Sequence, residues 1–172
     1  MQDEGRFGLM ATPKRCWTPI HTRPVIAKQI RREYVYAYTA VCPKLGRSTS
    51  LILPYANTEM MQLFLNQVSE DFSEYFIIMQ VDQAGWHTTP NLVIPENIRL
   101  IEQPPYSPEV NPIELIWKKL KTESSLANKN FVDIEALTDV LSFELSALND
   151  SPEALRSLTL FPHLNIISCI AC

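Results

Sequence analysis

The pattern of apolar and polar residues divides the chain into strand-like runs followed by longer helix-like ones. Residues 34–42, YVYAYTAVC, are rich in aromatic and β-branched side chains, as is typical of a β-strand. A turn signal at 43–46 and a second run at 48–53 predict a β-hairpin. Residues 1–10 read as a short strand, and prolines make 11–33 loop-like.

The middle of the chain predicts helix-connected strands. Asn57 or Thr58 is suited to cap a helix, because apolar residues follow at helical spacing. The run at 75–82 is almost wholly apolar until its last residue, which predicts a strand buried on both faces. A short helix at 91–95 and a short strand at 98–102 are expected next.

The last third predicts two helices behind a stiff loop. Prolines exclude regular structure from 103–108. Asn111 and Pro112 then predict a helix start, with Asn111 as its cap, and a second helix is expected over 133–149. This order of elements predicts an α/β fold with a mixed sheet and helices on both faces, as in the ribonuclease-H-like fold.

Length and composition suit one soluble domain. The 172 residues are 46% hydrophobic and 20% charged, and no apolar run approaches the roughly 20 residues of a membrane span. The first ten residues carry acids and no apolar block, so they do not resemble a secretory signal. We therefore expect a cytoplasmic protein with one domain over 1–150 and a tail of unassigned structure over 151–172.

Charge and cysteines narrow the possible chemistry. The net charge of −4 argues against a stand-alone DNA binder, although a metal site built from carboxylates also adds negative charge. Four cysteines are scattered, and the CxxC at 169–172 lacks the second ligand pair that a zinc site needs. We expect reduced thiols.

Three acidic residues occupy chemically informative positions. Asp3 lies in the first strand, Asp82 ends the most apolar strand, and Glu114 sits in the first turn of a helix. Carboxylates converging from two strands and a helix would suit Mg²⁺ or Mn²⁺, and two such ions can hold both oxygens of an in-line phosphoryl displacement. For any one of the three acids, an ordinary surface charge or a helix N-terminal charge is the alternative.

Three local strings sharpen this prediction. Together they resemble the DDE catalytic domain of mariner-related bacterial insertion-sequence transposases, and they occur in that family's order. The strings are Gln2-Asp3-Glu4-Gly5-Arg6-Phe7-Gly8, Val81-Asp82-Gln83-Ala84-Gly85-Trp86-His87, and Tyr106-Ser107-Pro108-Glu109-Val110-Asn111-Pro112-Ile113-Glu114 leading to Trp117-Lys118-Lys119-Leu120-Lys121.

The resemblance implies a site and an activity. Asp3, Asp82 and Glu114 would be the catalytic, metal-binding triad, with two Mg²⁺ or Mn²⁺ ions as cofactors. The domain would cut element ends by hydrolysis and join the freed 3′-OH to target DNA.

The same match suggests supporting residues. His87 would orient a phosphate or a triad carboxylate, or else cap the turn after the strand. Asn111 would support the triad or serve only as a helix cap. Lys118 and Lys121 would contact the DNA backbone.

Two neighbours of these residues receive simpler interpretations. Trp117 is most simply core packing. Glu4 should point to the face of the strand opposite Asp3, so it is not counted as a ligand.

The resemblance also implies partners. Family members carry helix-turn-helix modules before the catalytic domain, whereas this chain begins two residues before Asp3. We therefore expect an N-terminally truncated domain that works with an upstream helix-turn-helix half and DNA, with a homodimer left open.

Several alternatives stay open. The chain is either the second frame of a frameshifted element or a decayed or mis-started copy. Three functions are considered. The chain transfers DNA strands, acts as an inactive or regulatory transposase remnant, or cleaves RNA–DNA hybrids.

Overall fold

The computed structural model describes residues 1–10, 17–23, 25, 29–105, 107–162 and 164. These described residues form five strands: β1 (Gln2–Gly8), β2 (Tyr34–Cys42), β3 (Arg47–Leu53), β4 (Ile77–Val81) and β5 (Ile98–Glu102). The same residues form four α-helices: α1 (Thr58–Asp71), α2 (Ile113–Thr122), α3 (Ile134–Asn149) and α4 (Pro152–Thr159). A 3₁₀ turn at Pro108–Val110 precedes α2.

The strands form two sheets. β1, β2 and β3 are antiparallel neighbours in that order, which confirms the predicted hairpin. β4 and β5 pair in parallel, with Ile77 opposite Ile98. β1 contacts β4, but within the described ranges no hydrogen-bonded ladder joins the two sheets. At this seam the Gln2 carbonyl instead accepts a hydrogen bond from Asn111 Nδ2 at 3.1 Å.

The three-stranded sheet separates two apolar cores, which confirms helices on both faces. On one face Phe7 and Ala37 pack with α2, α3 and Leu155 of α4. On the other face Tyr38 and Ala40 pack with α1 and β4. This division follows from strand geometry, since alternate residues of a strand point to opposite faces.

Two local predictions are wrong. The segment at 91–95 is not helical, because Gln62 of α1 holds it by bonding both the amide and the carbonyl of Val93, at 2.8 and 2.7 Å. β4 is buried on one face only: Met79 is 2% exposed, whereas Ile78 is 63% exposed. The contacts of β4 with the core around α1 involve only the side that carries Met79 and Val81.

The segment after residue 150 is partly helical and joins the core. Leu155 of α4 is fully buried among residues of α2 and α3. The turn before β3 approaches α4 closely at Gly46, which has φ +62°, and a Cβ there would collide with the Pro152 carbonyl. Glycine is therefore required at this turn.

Candidate active site

Asp3 is held on β1 by a residue from α2. Its Oδ2 accepts a hydrogen bond from Trp117 Nε1 at 2.8 Å. Burial raises the pKa of Asp3 to about 6, and repulsion from Glu114 adds to the rise while the Trp117 hydrogen bond opposes it. Burial therefore destabilises the ionised form of Asp3, and the carboxyl group lies close enough to Glu114 for repulsion between the two charges.

Asp82 follows the last residue of β4 and is fixed by two donors. Its Oδ1 accepts from the Ala84 amide at 2.9 Å and faces His87 Nδ1 at 2.8 Å. The His87 hydrogen bond lowers the pKa of Asp82. Asp82 is therefore ionised across the physiological range, and its orientation is set by the turn that follows β4.

His87 is 4% exposed and lies between two carboxylates. Its Nε2 faces Glu4 Oε1 at 2.9 Å, and its Nδ1 faces Asp82. Burial would lower the pKa of His87, but the hydrogen bonds with Asp82 and Glu4 outweigh it and raise the pKa to about 10. His87 thus contacts the Asp82 carboxylate, and its role at the site stays a prediction.

Glu114 is exposed in the first turn of α2, where a carboxylate also complements the helix dipole. Asn111 positions the start of this helix. Its Oδ1 accepts from the Ile113 amide at 3.1 Å while its Nδ2 bonds Gln2 of β1. Pro112, and not Asn111 as predicted, occupies the cap position, because the 3₁₀ turn ends at Asn111 and shifts the helix start by one residue.

Asp3, Asp82 and Glu114 line one open cleft of about 470 Å³. The remaining lining comes from the turn after β4 and from the loop before α2, namely Gln83, Ala84, Gln103, Pro104, Pro105, Ser107, Pro108 and Asn111. The stiff loop predicted at 103–108 therefore forms a wall of the cleft. Tyr106, which belongs to the third string, lies outside the described residues.

The donors of this cleft suit a hard divalent cation. Carboxylate oxygens are the ligands that Mg²⁺ and Mn²⁺ prefer. A cation bound between Asp3 and Glu114 would also neutralise their negative charges and so relieve their repulsion. As they stand, no three His, Cys, Asp or Glu side chains among the described residues are grouped to hold a metal ion. Because Glu114 is exposed, its side chain can turn toward the other two without repacking the core.

Two residues near the three cleft acids make contacts that were not predicted from the sequence. Trp117 is core packing, as predicted, but it also donates to Asp3, and Gly5 makes room for its ring, since a Cβ on Gly5 would lie 2.8 Å from it. Glu4 does point away from Asp3, toward Tyr38 on the other face, yet it contacts His87. No local sequence pattern marks this contact, because it depends on how the sheet that contains β1 meets the sheet that contains β4.

Lys118 and Lys121 lie outside the cleft. Both are exposed on α2, four and seven residues after Glu114, so they continue the same helical face. Lys121 Nζ also lies 5.1 Å from the centre of the Phe7 ring. Of the four cysteines, Cys42 has a free thiol, and Cys16, Cys169 and Cys172 lie outside the described residues.

The geometry agrees with comparisons of sequence. Residues 1–138 match the family model described as DDE superfamily endonuclease. The chain belongs to this family. It is also 36% identical over 128 residues to an uncharacterized protein, y4pE/y4sA, of Sinorhizobium fredii (strain NBRC 101917 / NGR234), an alignment that covers 74% of this chain and 94% of that protein.

Solved transposase structures share the fold. The Mos1 mariner paired-end complex with Mn is similar with a TM-score of 0.63 at 14% identity, over 91% of this chain and 52% of that one. The Mos1 strand transfer complex is similar with a TM-score of 0.58 at 13% identity, over 92% and 52%. The ribonuclease-H-like fold class is thus confirmed, and the chain spans about half the length of these transposases.

No helix in the described part of the chain combines the length and the apolar character that a bilayer crossing requires.

Proposed function

We propose that the chain is the catalytic domain of a cytoplasmic DDE transposase, which cuts DNA at element ends and transfers the freed 3′-OH to target DNA. The observation that carries the proposal is the single cleft lined by Asp3, Asp82 and Glu114, reached from β1, β4 and α2. Membership in the DDE superfamily endonucleases supports the reaction class.

Each residue of the site has a separate proposed role. Asp3, Asp82 and Glu114 would hold two Mg²⁺ or Mn²⁺ ions, which when bound activate the attacking water or 3′-OH and stabilise charge on the phosphate. Asn111 keeps α2, and hence Glu114, attached to β1. His87 keeps the Asp82 carboxylate oriented.

DNA would follow the face of α2 that begins at Glu114. Lys118 and Lys121 are exposed there, and such contacts neutralise phosphates without reading sequence. Recognition of element ends is assigned to a helix-turn-helix half supplied upstream, and whether the working assembly is a homodimer is left open. The similar solved structures are paired-end and strand transfer complexes of Mos1.

A nicking assay tests the proposal. The chain is incubated with supercoiled plasmid and Mn²⁺ or Mg²⁺, with EDTA as the blank. Wild type should nick in a metal-dependent way, and Asp82→Ala should lower the rate at least about 100-fold, since it removes a metal ligand. Glu109→Gln is the matched control, because Glu109 is exposed beside the cleft but does not line it.

Two outcomes would contradict the catalytic assignment. Nicking that Asp82→Ala leaves unchanged would mean that the triad is not the site. DNA binding with no metal-dependent nicking by the chain, alone or joined to a helix-turn-helix half, would instead identify an inactive or regulatory remnant.

A further inference from the structure

Glu4 is a buried carboxylate that three side chains approach. It is 6% exposed, and its Oε1 accepts from Gln2 Nε2 at 2.9 Å and lies 2.9 Å from His87 Nε2. Trp86 Nε1 is a longer contact at 3.5 Å. Burial of a carboxylate is costly unless such partners compensate it, so Glu4 is held in one orientation.

His87 carries the restraint from Glu4 to Asp82. Its Nε2 faces the Glu4 carboxylate, and its Nδ1 faces both Asp82 Oδ1 at 2.8 Å and the Asp82 carbonyl at 3.1 Å. Each ring nitrogen therefore has an oxygen partner from one of the two acidic residues, and the ring is held between them.

The bridge matters because of the sheet topology. Asp3 belongs to the three-stranded sheet, whereas Asp82 follows β4 of the parallel pair, and no ladder joins the two in the described ranges. The Glu4–His87–Asp82 chain crosses this seam. Because Glu4 is adjacent to Asp3 on β1, the chain ties the two triad carboxylates to each other.

We propose that Glu4 is a positioning residue, which acts through His87 to fix the Asp82 carboxylate relative to Asp3. This inference rests on the proposed function, since it assumes that Asp82 is a metal ligand. The Asp82 side chain is 40% exposed, so without the bridge it would keep only the Ala84 amide and would sample other rotamers. Hydrogen-bond partners behind a metal ligand typically contribute 10–100-fold in metal affinity.

The test is a double-mutant cycle on Mn²⁺ affinity, measured by calorimetry with the full chain. Glu4→Gln keeps the size of the side chain but replaces the carboxyl group with a neutral amide, which weakens the contact with His87 Nε2. We expect Mn²⁺ affinity about 10–100-fold weaker than in wild type. His87→Asn should have a similar effect, and the double variant should bind no more weakly than His87→Asn alone. Glu109→Gln, which removes the same charge outside the cleft, should change the affinity less than about 3-fold.

A general loss of folding would have a different signature. The unfolding midpoint is measured for each variant. If Glu4 has a purely structural role, Glu4→Gln should lower that midpoint, and the losses of Mn²⁺ affinity caused by Glu4→Gln and His87→Asn should add in the double variant. A Mn²⁺ affinity of Glu4→Gln equal to that of Glu109→Gln would overturn the positioning role.

Failure of this inference is distinguishable from failure of the proposed function. If wild type binds Mn²⁺ and Asp82→Asn abolishes binding, but Glu4→Gln binds normally, only the role of Glu4 is wrong. If wild type binds no Mn²⁺, or Asp82→Asn binds as wild type does, the proposed metal site itself is wrong.

Discussion

Individual side chains at the site are arranged at a cost to the fold. Asp3 is buried near Glu114 and has a pKa of about 6, well above the ordinary value of 3.8. Trp117 offsets part of this cost through its hydrogen bond. A carboxylate kept in such a place indicates a use other than stability.

The pH dependence of stability follows from this shift. The pKa of Asp3 is raised in the folded state. Its contribution to the free energy of unfolding is therefore fully present below pH 3.8 and is lost as pH rises through about 6. In EDTA, Asp3→Asn should therefore exceed wild type in free energy of unfolding by about 1–3 kcal/mol at pH 7.5 and by much less at pH 4.5. Urea unfolding at both pH values measures this.

The control for this prediction is Asp139→Asn, an exposed acid on α3 that should change little at either pH. An equal difference between Asp3→Asn and wild type at both pH values would show that Asp3 is not the group that titrates.

The identity of the cleft acids could be predicted from the sequence, but their supporting contacts could not. Asp3, Asp82 and Glu114 stand at strand and helix ends within distinctive strings. Glu4 was discounted because strand alternation gives only the face of a side chain. Its contact with His87 depends on how two sheets meet, which no local pattern specifies.

At the scale of elements, the site depends on how α2 is attached to β1. Asn111 is 5% exposed and uses both ends of its amide, donating to the Gln2 carbonyl and accepting from the Ile113 amide. It thus links the strand that carries Asp3 to the helix that carries Glu114.

Removal of this link should be costly. Asn111→Ala leaves the buried Gln2 carbonyl without that donor, so we expect a loss of about 1–3 kcal/mol in the free energy of unfolding. Asn66→Ala, which removes an exposed amide from α1, should cost about 0.5 kcal/mol or less. Denaturant unfolding of both variants checks this, and equal losses would contradict the linking role of Asn111.

Most strands and helices could be predicted, because their apolar periodicity is strong. The failures share a physical cause, which is tertiary contact. Gln62 of α1 holds 91–95 in a non-helical form, and the one-sided packing of β4 leaves Ile78 exposed despite its apolar sequence.

At the scale of the whole molecule, the core extends beyond the residues that match the family model. The match ends at residue 138, yet Leu155 of α4 is fully buried between α2 and α3. The predicted boundary at residue 150 thus falls immediately before a helix that packs on the element carrying Glu114.

We predict that α4 is required for stability. Leu155→Ala should lower the free energy of unfolding by about 2–5 kcal/mol, since it opens a cavity in the core. Leu63→Ala is the matched control, because Leu63 on α1 is 49% exposed and should cost much less. If thermal or urea unfolding gives the two variants the same stability, α4 does not belong to the folded unit.

The proposed function depends on divalent cations binding where the three acids meet. The most direct measurement is anomalous diffraction from a crystal of the protein soaked in Mn²⁺. We predict a manganese peak in the cleft, within coordination distance of carboxylate oxygens from Asp3, Asp82 and Glu114. An empty cleft in well-soaked crystals, or manganese bound only elsewhere, would contradict the proposed site.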